Sequence, residues 1–256
     1  MELQSKTLNN KKEALFLKEL PLKLMKESKI FTINIKGKHA LFTRPEFKSE
    51  RFSYHIPTHS GLRGLLESVL WKPAISWQIH NLSILEPIKF ISFRRNEVGS
   101  KAVAPSKAII KDGGQAPELL IEQDRVVRNT VALKDVEYVI QASFTMTKRA
   151  STGDNLKKFE EMFIRRMEKG QYFHHPYLGC REFEATVELL PDSHQCSPYP
   201  VTKDFGIMVW DISYSDGDRK TQSPVFFNAK MENGVIQYPQ SADEAILTLN
   251  SAFESC

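Results

Sequence analysis

The chain has 256 residues, of which 41% are apolar and 26% charged, and it carries a net charge of +4 at pH 7. That length suits one large domain or two small ones, with enough apolar material for a real core. No run approaches the roughly 18 apolar residues of a membrane span, the N-terminal MELQSKTLNNKKEALFLKEL is too charged for a secretory signal, and a net +4 permits a polyanionic partner without demanding one.

Residues 1–28 read as a charged extension with one amphipathic patch, Leu15, Phe16, Leu17 and Leu20, cut short by Pro21. A strand follows, because Ile30, Thr32, Asn34 and Lys36 alternate with Phe31, Ile33 and Ile35. Thr58 or Ser60 can cap a helix through Leu70, whose Leu62, Leu65, Leu66 and Val69 fall at the spacing of a buried stripe. Pro73 ends it, since proline disfavours helix in the residue before it. Two β-rich runs, 74–85 and 88–95, flank Pro87. Residues 96–130 are polar, with Pro105, Gly113-Gly114, Pro117 and the cations Lys101, Lys107, Lys111, Arg125 and Arg128. They read either as an inserted hairpin that grips a partner or as a plain mobile loop.

A long strand is predicted over 133–147 and a helix over 155–170. Leu156, Phe159, Phe163 and Met167 form the apolar stripe of that helix, with Lys158, Arg165 and Lys169 on the opposite side. Residues 181–190 alternate as another strand. Beyond about 197, FGIMVWDISY, PVFFNAKM and GVIQYP read as further short strands, with Ser241 starting a last short helix. The order strand, helix, strands, helix, strand matches a ferredoxin-like βαββαβ unit of the α+β class, a frequent RNA platform. The expected organisation is therefore an extension over 1–28, a ferredoxin-like domain over 29–196 and a small β-rich C-terminal domain over 197–256.

Several chemistries find no support. Cys180, Cys196 and Cys256 are odd in number and widely spaced, which argues against a disulfide framework and fits a reducing cytoplasm. His174 and His175 lie near Cys180, but neighbours on a strand point to opposite faces, and no CxxC or HExxH occurs. Neither GxxxxGK[ST] nor GxGxxG is present, so no cofactor or metal is expected. The richest run is FTRPEFKSERFSYHIPTHSGLRGLLESVLWKP at 42–73. Arg44, Lys48, Arg51 and Arg63 supply phosphate-pairing charge there, and Phe47, Phe52, Tyr54 and His55 supply flat faces for unpaired bases. Glu46, Glu50 and Glu67 dilute that pattern, and the competing reading is a solvated loop leading into a core helix.

The same run resembles the N-terminal signature of the fifth family of CRISPR-associated proteins, type I-C (Dvulg) subtype. RRNEV at 94–98, RNTVALKDVEYVI at 128–140, KGQYFHHPYLGCREF at 169–183 and MENGVIQYP at 231–239 resemble the same family, in order and with the expected spacing. The resemblance spans roughly 29–240 and leaves the extension uncovered. It implies a repeat-associated (RAMP) protein with an RRM-related, ferredoxin-like core, a protruding thumb at 96–130 and a smaller β domain. The implied partners are the repeat-derived 5′ handle of CRISPR RNA, the large and backbone subunits of an antiviral surveillance (Cascade) complex, and target DNA near its recognition motif. The implied activity is metal-independent cleavage of precursor RNA, in which a 2′-hydroxyl attacks the adjacent phosphate. A site for this must deprotonate the hydroxyl, stabilise the phosphorane and protonate the leaving oxygen.

The family assigns that work to a tyrosine in a run like IYWKP and to a lysine and histidine in a run like DNPGKH. Here VLWKP puts Leu70 at the tyrosine position, and DNLKKF puts Lys158 at the lysine and Phe159 at the histidine. Leucine and phenylalanine cannot move protons, so two of the three groups are absent and Lys158 alone remains. The leading expectation is a handle-binding subunit, with Arg44, Lys48, Arg51, Arg63, Arg94, Arg95, Arg128 and Arg165 on phosphates and Phe52 and Tyr54 on bases. Two alternatives stay open. One is an active ribonuclease with a relocated set around Tyr54, His55 and Lys158, with His59 nearby. The other is a purely structural subunit.

Overall fold

One strand organises the molecule. A computed structural model describes residues 27–47, 50–114, 118–191, 193–214 and 222–254, so residues 1–26, with most of the charged extension and its Leu15 to Leu20 patch, lie outside the described residues. The strands are β1 Phe31–Ala40, β2 Arg51–Phe52, β3 Ile75–Ile84, β4 Lys89–Val98, β5 Arg125–Met146, β6 Thr186–Leu190, β7 Lys203–Tyr214, β8 Gln222–Glu232 and β9 Val235–Gln237. The helices are α1 His59–Val69, α2 Lys107–Asp112, α3 Leu156–Glu168 and α4 Ala242–Glu254. The main sheet runs β6-β1-β5-β3-β9-β8-β7, with β2 and β4 paired to β5 off that path. All its pairs are antiparallel except the short β2–β5 contact. The protein is thus a mixed α/β fold on an antiparallel sheet.

The 22 residues of β5 serve two neighbourhoods. Its C-terminal half lies between β1 and β3, while its N-terminal half pairs with β4. Because β3 and β4 both run antiparallel to β5, they amount to one strand interrupted around Pro87, which has no N–H to give a ladder. Opposite the break, Asp135 adopts φ +49° and β1 skips a pairing. An irregularity of this kind bends the strand, and beyond it β4 and β5 continue as a two-stranded ribbon from Lys89↔Lys134 to Val98↔Arg125. Beyond β4 the described residues 99–114 contain α2, capped by Ser106 and stopped by Gly113 at φ +66°. Residues 96–130 are therefore the outer part of a hairpin.

Helices α1 and α3 begin where local chemistry directs. The Thr58 hydroxyl accepts from the Gly61 N–H at 3.1 Å, and Asn155 accepts from the Lys158 N–H at 2.9 Å. Leu62, Leu65, Leu66, Val69 and Leu70 of the first, with Phe159 and Phe163 of the second, are buried with Phe31, Ile33 and Ile35 of β1. The Phe163 ring lies 4.9 Å from Phe31 and 4.8 Å from Trp77. Burying one such ring stabilises the fold by roughly 1.5–3 kcal/mol. The other face of β1, β3 and β5 is polar: Asn81 donates to Gln141 at 2.7 Å, Asn34 to Glu137 at 3.2 Å, and His80 meets Ser143 at 2.7 Å. That face offers no aromatic platform.

The last strands extend the same sheet. Asn233 and Gly234 take φ +49° and +78°, the left-handed pair that turns β8 tightly into β9. β9 then pairs with β3 through Asn81↔Gln237, Leu82↔Ile236 and Ser83↔Val235. Met208, Phe227, Met231 and Ile236 join the core formed by the preceding strands. The strand expected over 181–190 begins at Thr186, because residues 176–185 form a loop held against β1 instead. Leu41 donates its N–H to the Leu178 carbonyl at 3.0 Å. Gly179 sits at φ +78°, where a Cβ would come 2.1 Å from the Leu41 oxygen. No helix among the described residues is long and apolar enough to cross a membrane.

Candidate nucleic-acid interface

The base of the ribbon has two chemically distinct faces. Alternation along β4 puts Phe90, Ser92 and Arg94 on one and Ile91, Phe93, Arg95 and Glu97 on the other. On the first face a continuous chain of rings crosses three parts of the sequence. Phe47 stacks on Phe52 with centroids 5.4 Å apart and planes at 22°, and Phe52 lies 6.0 Å from Phe90. His55 meets Phe90 edge-on at 5.2 Å and Phe205 at 5.6 Å. Phe47 and Phe90 are 42% and 37% exposed. Lys203 of β7 places its ammonium 5.5 Å from the Phe205 centroid. Burial, followed by the Lys203 and Arg44 charges, holds the His55 imidazole below its ordinary pKa, so it presents a neutral ring at pH 7.

On the second face the arginines are already engaged. Arg51 contacts Glu97 at 3.1 Å and Glu182 at 3.4 Å, Arg128 reaches Glu97 at 3.7 Å, and Arg95 grips both oxygens of Glu182. The Cys180 thiol donates to Glu182 at 3.1 Å. Glu182 sits in the loop that Gly179 seats against β1, so the lattice ties the ribbon base to that loop. Burial first, then the Glu182 carboxylate, raises the Cys180 pKa and keeps it a thiol.

The remaining sequence-predicted residues are scattered. Arg44 stacks over Tyr54 at 5.1 Å and pairs with Glu46 at 3.3 Å. Tyr54 is 4% exposed with its pKa raised by burial, so its ring packs in the core and is closed to bases. Arg63 donates to Asp211 at 2.8 Å, beside a buried His59 that stacks on Trp210 at 4.8 Å. Arg94 is exposed with no acidic partner among the described residues, and Arg165 is exposed on α3. Lys48 lies outside the described residues.

Lys158 is in a different place. It pairs with Asp154 at 2.9 Å and lines a pocket of about 310 Å³ with Lys72, Arg149 and Ser151 beyond the C-terminal end of α1. His55 precedes the N-terminal end of the same helix, and 11 residues at 1.5 Å each separate the two ends by about 16 Å. Tyr54, His55 and Lys158 therefore do not assemble into one proton-transfer site. Leu70 is fully buried, its carbonyl accepting from the Trp77 indole at 2.9 Å, and Phe159 is 3% exposed. Among the described residues no three His, Cys, Asp or Glu side chains converge to hold a metal ion.

Sequence reasoning passed over Phe90, Phe205 and Lys203 on the first face and Glu97 and Glu182 on the second. Phe90 had a signal: Phe90 and Phe93 are three apart on a strand and must face opposite ways. Phe205 and Glu182 had none, since only long-range packing brings them to the ribbon.

Residues 31–239 match the family described as CRISPR-associated protein (Cas_Cas5). A curated relative, the CRISPR pre-crRNA endoribonuclease Cas5d of Mannheimia succiniciproducens, is 42% identical over 215 residues, covering 81% of this chain and 93% of the relative. A protein of the same description from Thermus thermophilus is 33% identical over 222 residues, covering 81% and 90%. Among solved structures, one described as a CRISPR-associated protein superposes with a TM-score of 0.64 at 22% identity, covering 86% of this chain and 96% of that one. A functionally uncharacterized protein from Streptococcus mutans gives 0.63 at 24%, covering 86% and 97%, and these two likenesses speak to the fold alone. With nearly the whole described chain matched, and with two relatives of the same kind above 30% identity, the chain belongs to the Cas5 family of CRISPR-associated proteins, in its type I-C branch.

Proposed function

We propose that this chain is the CRISPR-RNA-binding Cas5 subunit of a type I-C surveillance complex, that it holds the repeat-derived 5′ handle, and that it has lost the family's metal-independent cleavage. The relatives named as pre-crRNA endoribonucleases support the RNA substrate. What carries the loss of cleavage is that Leu70 and Phe159, which the resemblance puts at two family proton-transfer positions, are both packed in the core. Neither can exchange a proton, and Tyr54 and His55 are too far from Lys158 to replace them. Lys158, Lys72 and Arg149 line a pocket whose cations outnumber its one carboxylate, Asp154, and favour phosphate.

The same reading extends to the architecture. The strand order β6-β1-β5-β3, with α1 between β1 and β3 and α3 between β5 and β6, supports a ferredoxin-like, RRM-related core of the RAMP type over 29–196. The ribbon over 96–130 would be its thumb, and 197–256, with its own β7–β8 hairpin, a small β-rich unit joined through β9. The large and backbone subunits are the proposed neighbours, with target DNA near its recognition motif and a cytoplasmic setting.

The test mixes the full chain with its cognate repeat RNA in chelator. Binding that weakens with salt and gives no cleaved product is the expected result. A product ending in a 2′,3′-cyclic phosphate would show that cleavage persists, and absence of binding would remove the RNA role altogether.

A further inference from the structure

Core packing covers aromatic rings, yet the chain Phe47, Phe52, Phe90, His55 and Phe205 is assembled from three distant segments and left partly open. Its rim is cationic. Arg94 lies four residues beyond Phe90 on the same strand face, about 13 Å along it, and Lys203 sits over Phe205. Neither has a carboxylate partner among the described residues, whereas Arg51, Arg95 and Arg128 on the opposite face all do. Arg44 at the margin is partly offset by Glu46. Rings flanked by unneutralised cations complement a polyanion whose units carry flat faces. Bases in a duplex already stack on one another, so the fitting ligand is single-stranded.

We infer that this ridge is a stacking site for unpaired RNA bases, with Phe52, Phe90 and Phe205 as the platform and Arg94 and Lys203 holding the flanking phosphates. The inference rests on the RNA-binding reading above and names the chemistry that it would recognise. Stacking tolerates any base, so the ridge contributes affinity for single strands rather than sequence choice.

The experiment compares three probes on the full chain by fluorescence anisotropy: the cognate repeat RNA, an oligouridylate of about ten nucleotides, and an abasic strand of equal length. The oligouridylate should bind at least about tenfold more tightly than the abasic strand, and Phe90→Leu with Phe205→Leu should remove most of that preference. Affinity for the abasic strand and its salt slope should stay unchanged, because the phosphate contacts remain. Leucine keeps the sites apolar. Should that variant fail to fold, Arg94→Glu with Lys203→Glu is a surface alternative, expected to weaken every strand. A folded variant with its base preference intact, or charge reversal without effect, overturns the inference while binding of repeat RNA leaves the broader reading standing. No binding of repeat RNA by the unaltered chain overturns both. Unchanged RNA affinity with lost assembly would assign the ridge to a protein neighbour, and overturn the inference too.

Discussion

Arg94 and Arg95 are neighbours in sequence, yet they end on opposite faces of one ribbon with opposite fates. Arg95 is locked on Glu182 within a lattice that also holds Arg51, Glu97 and Arg128. Arg94 is exposed on the face of the aromatic rings and makes no ion pair among the described residues, the nearby Glu50 carboxylate being taken by Asn129 opposite it. Both faces carry arginine and phenylalanine, so composition does not distinguish them. Two carboxylates do. A guanidinium that already has a bidentate carboxylate has little left for a phosphate, and its loss is felt in the fold first. The difference teaches that counting cations in a sequence overstates an anion-binding surface until their acidic partners are located.

The largest way to break this comparison is Glu182→Ala. It strips the acceptor from Arg95, Arg51 and the Cys180 thiol, and should cost about 1–2 kcal/mol in urea unfolding, since charged hydrogen bonds are lost and the site is partly solvated. Arg95, freed of its carboxylate, should also tighten RNA binding and steepen its salt dependence, while Arg51 keeps Glu97. A stable variant with unaltered binding would mean that the lattice is incidental.

A finer test pairs two single substitutions. Arg94→Ala should leave the unfolding midpoint unchanged and make the logarithmic salt slope shallower by roughly 0.7, the value for one phosphate contact on a single strand. Arg95→Ala should do the reverse, lowering stability by about 1 kcal/mol with the slope intact. Equal behaviour of the two would erase the distinction between the faces.

The smallest effect concerns pH. Burial depresses the pKa of His55 on the ridge and of buried His59 at the head of α1 from the ordinary 6.5, in the second case against the opposing pull of Asp211. Below about 6.5 the unfolded chain binds protons that the folded chain refuses, so stability is full above that pH and declines as pH falls through the lower folded values. Thermal midpoints should drop on acidification, with His59→Gln and His55→Gln each flattening the decline. A midpoint that rises on acidification would contradict the burial assigned to both rings.

Much of the fold was legible. The period-two run at 30–36 became β1, the β-rich runs 74–85 and 88–95 became β3 and β4, and the stripe from Leu62 to Val69 became the buried face of α1, with Thr58 as its cap. The strand over 133–147 was underestimated because its N-terminal half, RVVRNTVA, pairs in a ribbon with both faces partly wet and shows no clean alternation. The site was legible only in part. Phe52 lies among exposed rings, while Tyr54, two residues on, packs inward beneath Arg44.

Sequence by itself determined most of the elements and the family, because periodicity, capping and residue identity are local properties. Tertiary structure alone decided which arginines are free and which rings are joined. Glu182 meets Arg95 across 87 positions, and Phe205 meets His55 only when β7 is laid beside α1. Electrostatic and stacking partners are set by distance in space, which the order of residues along a chain does not carry.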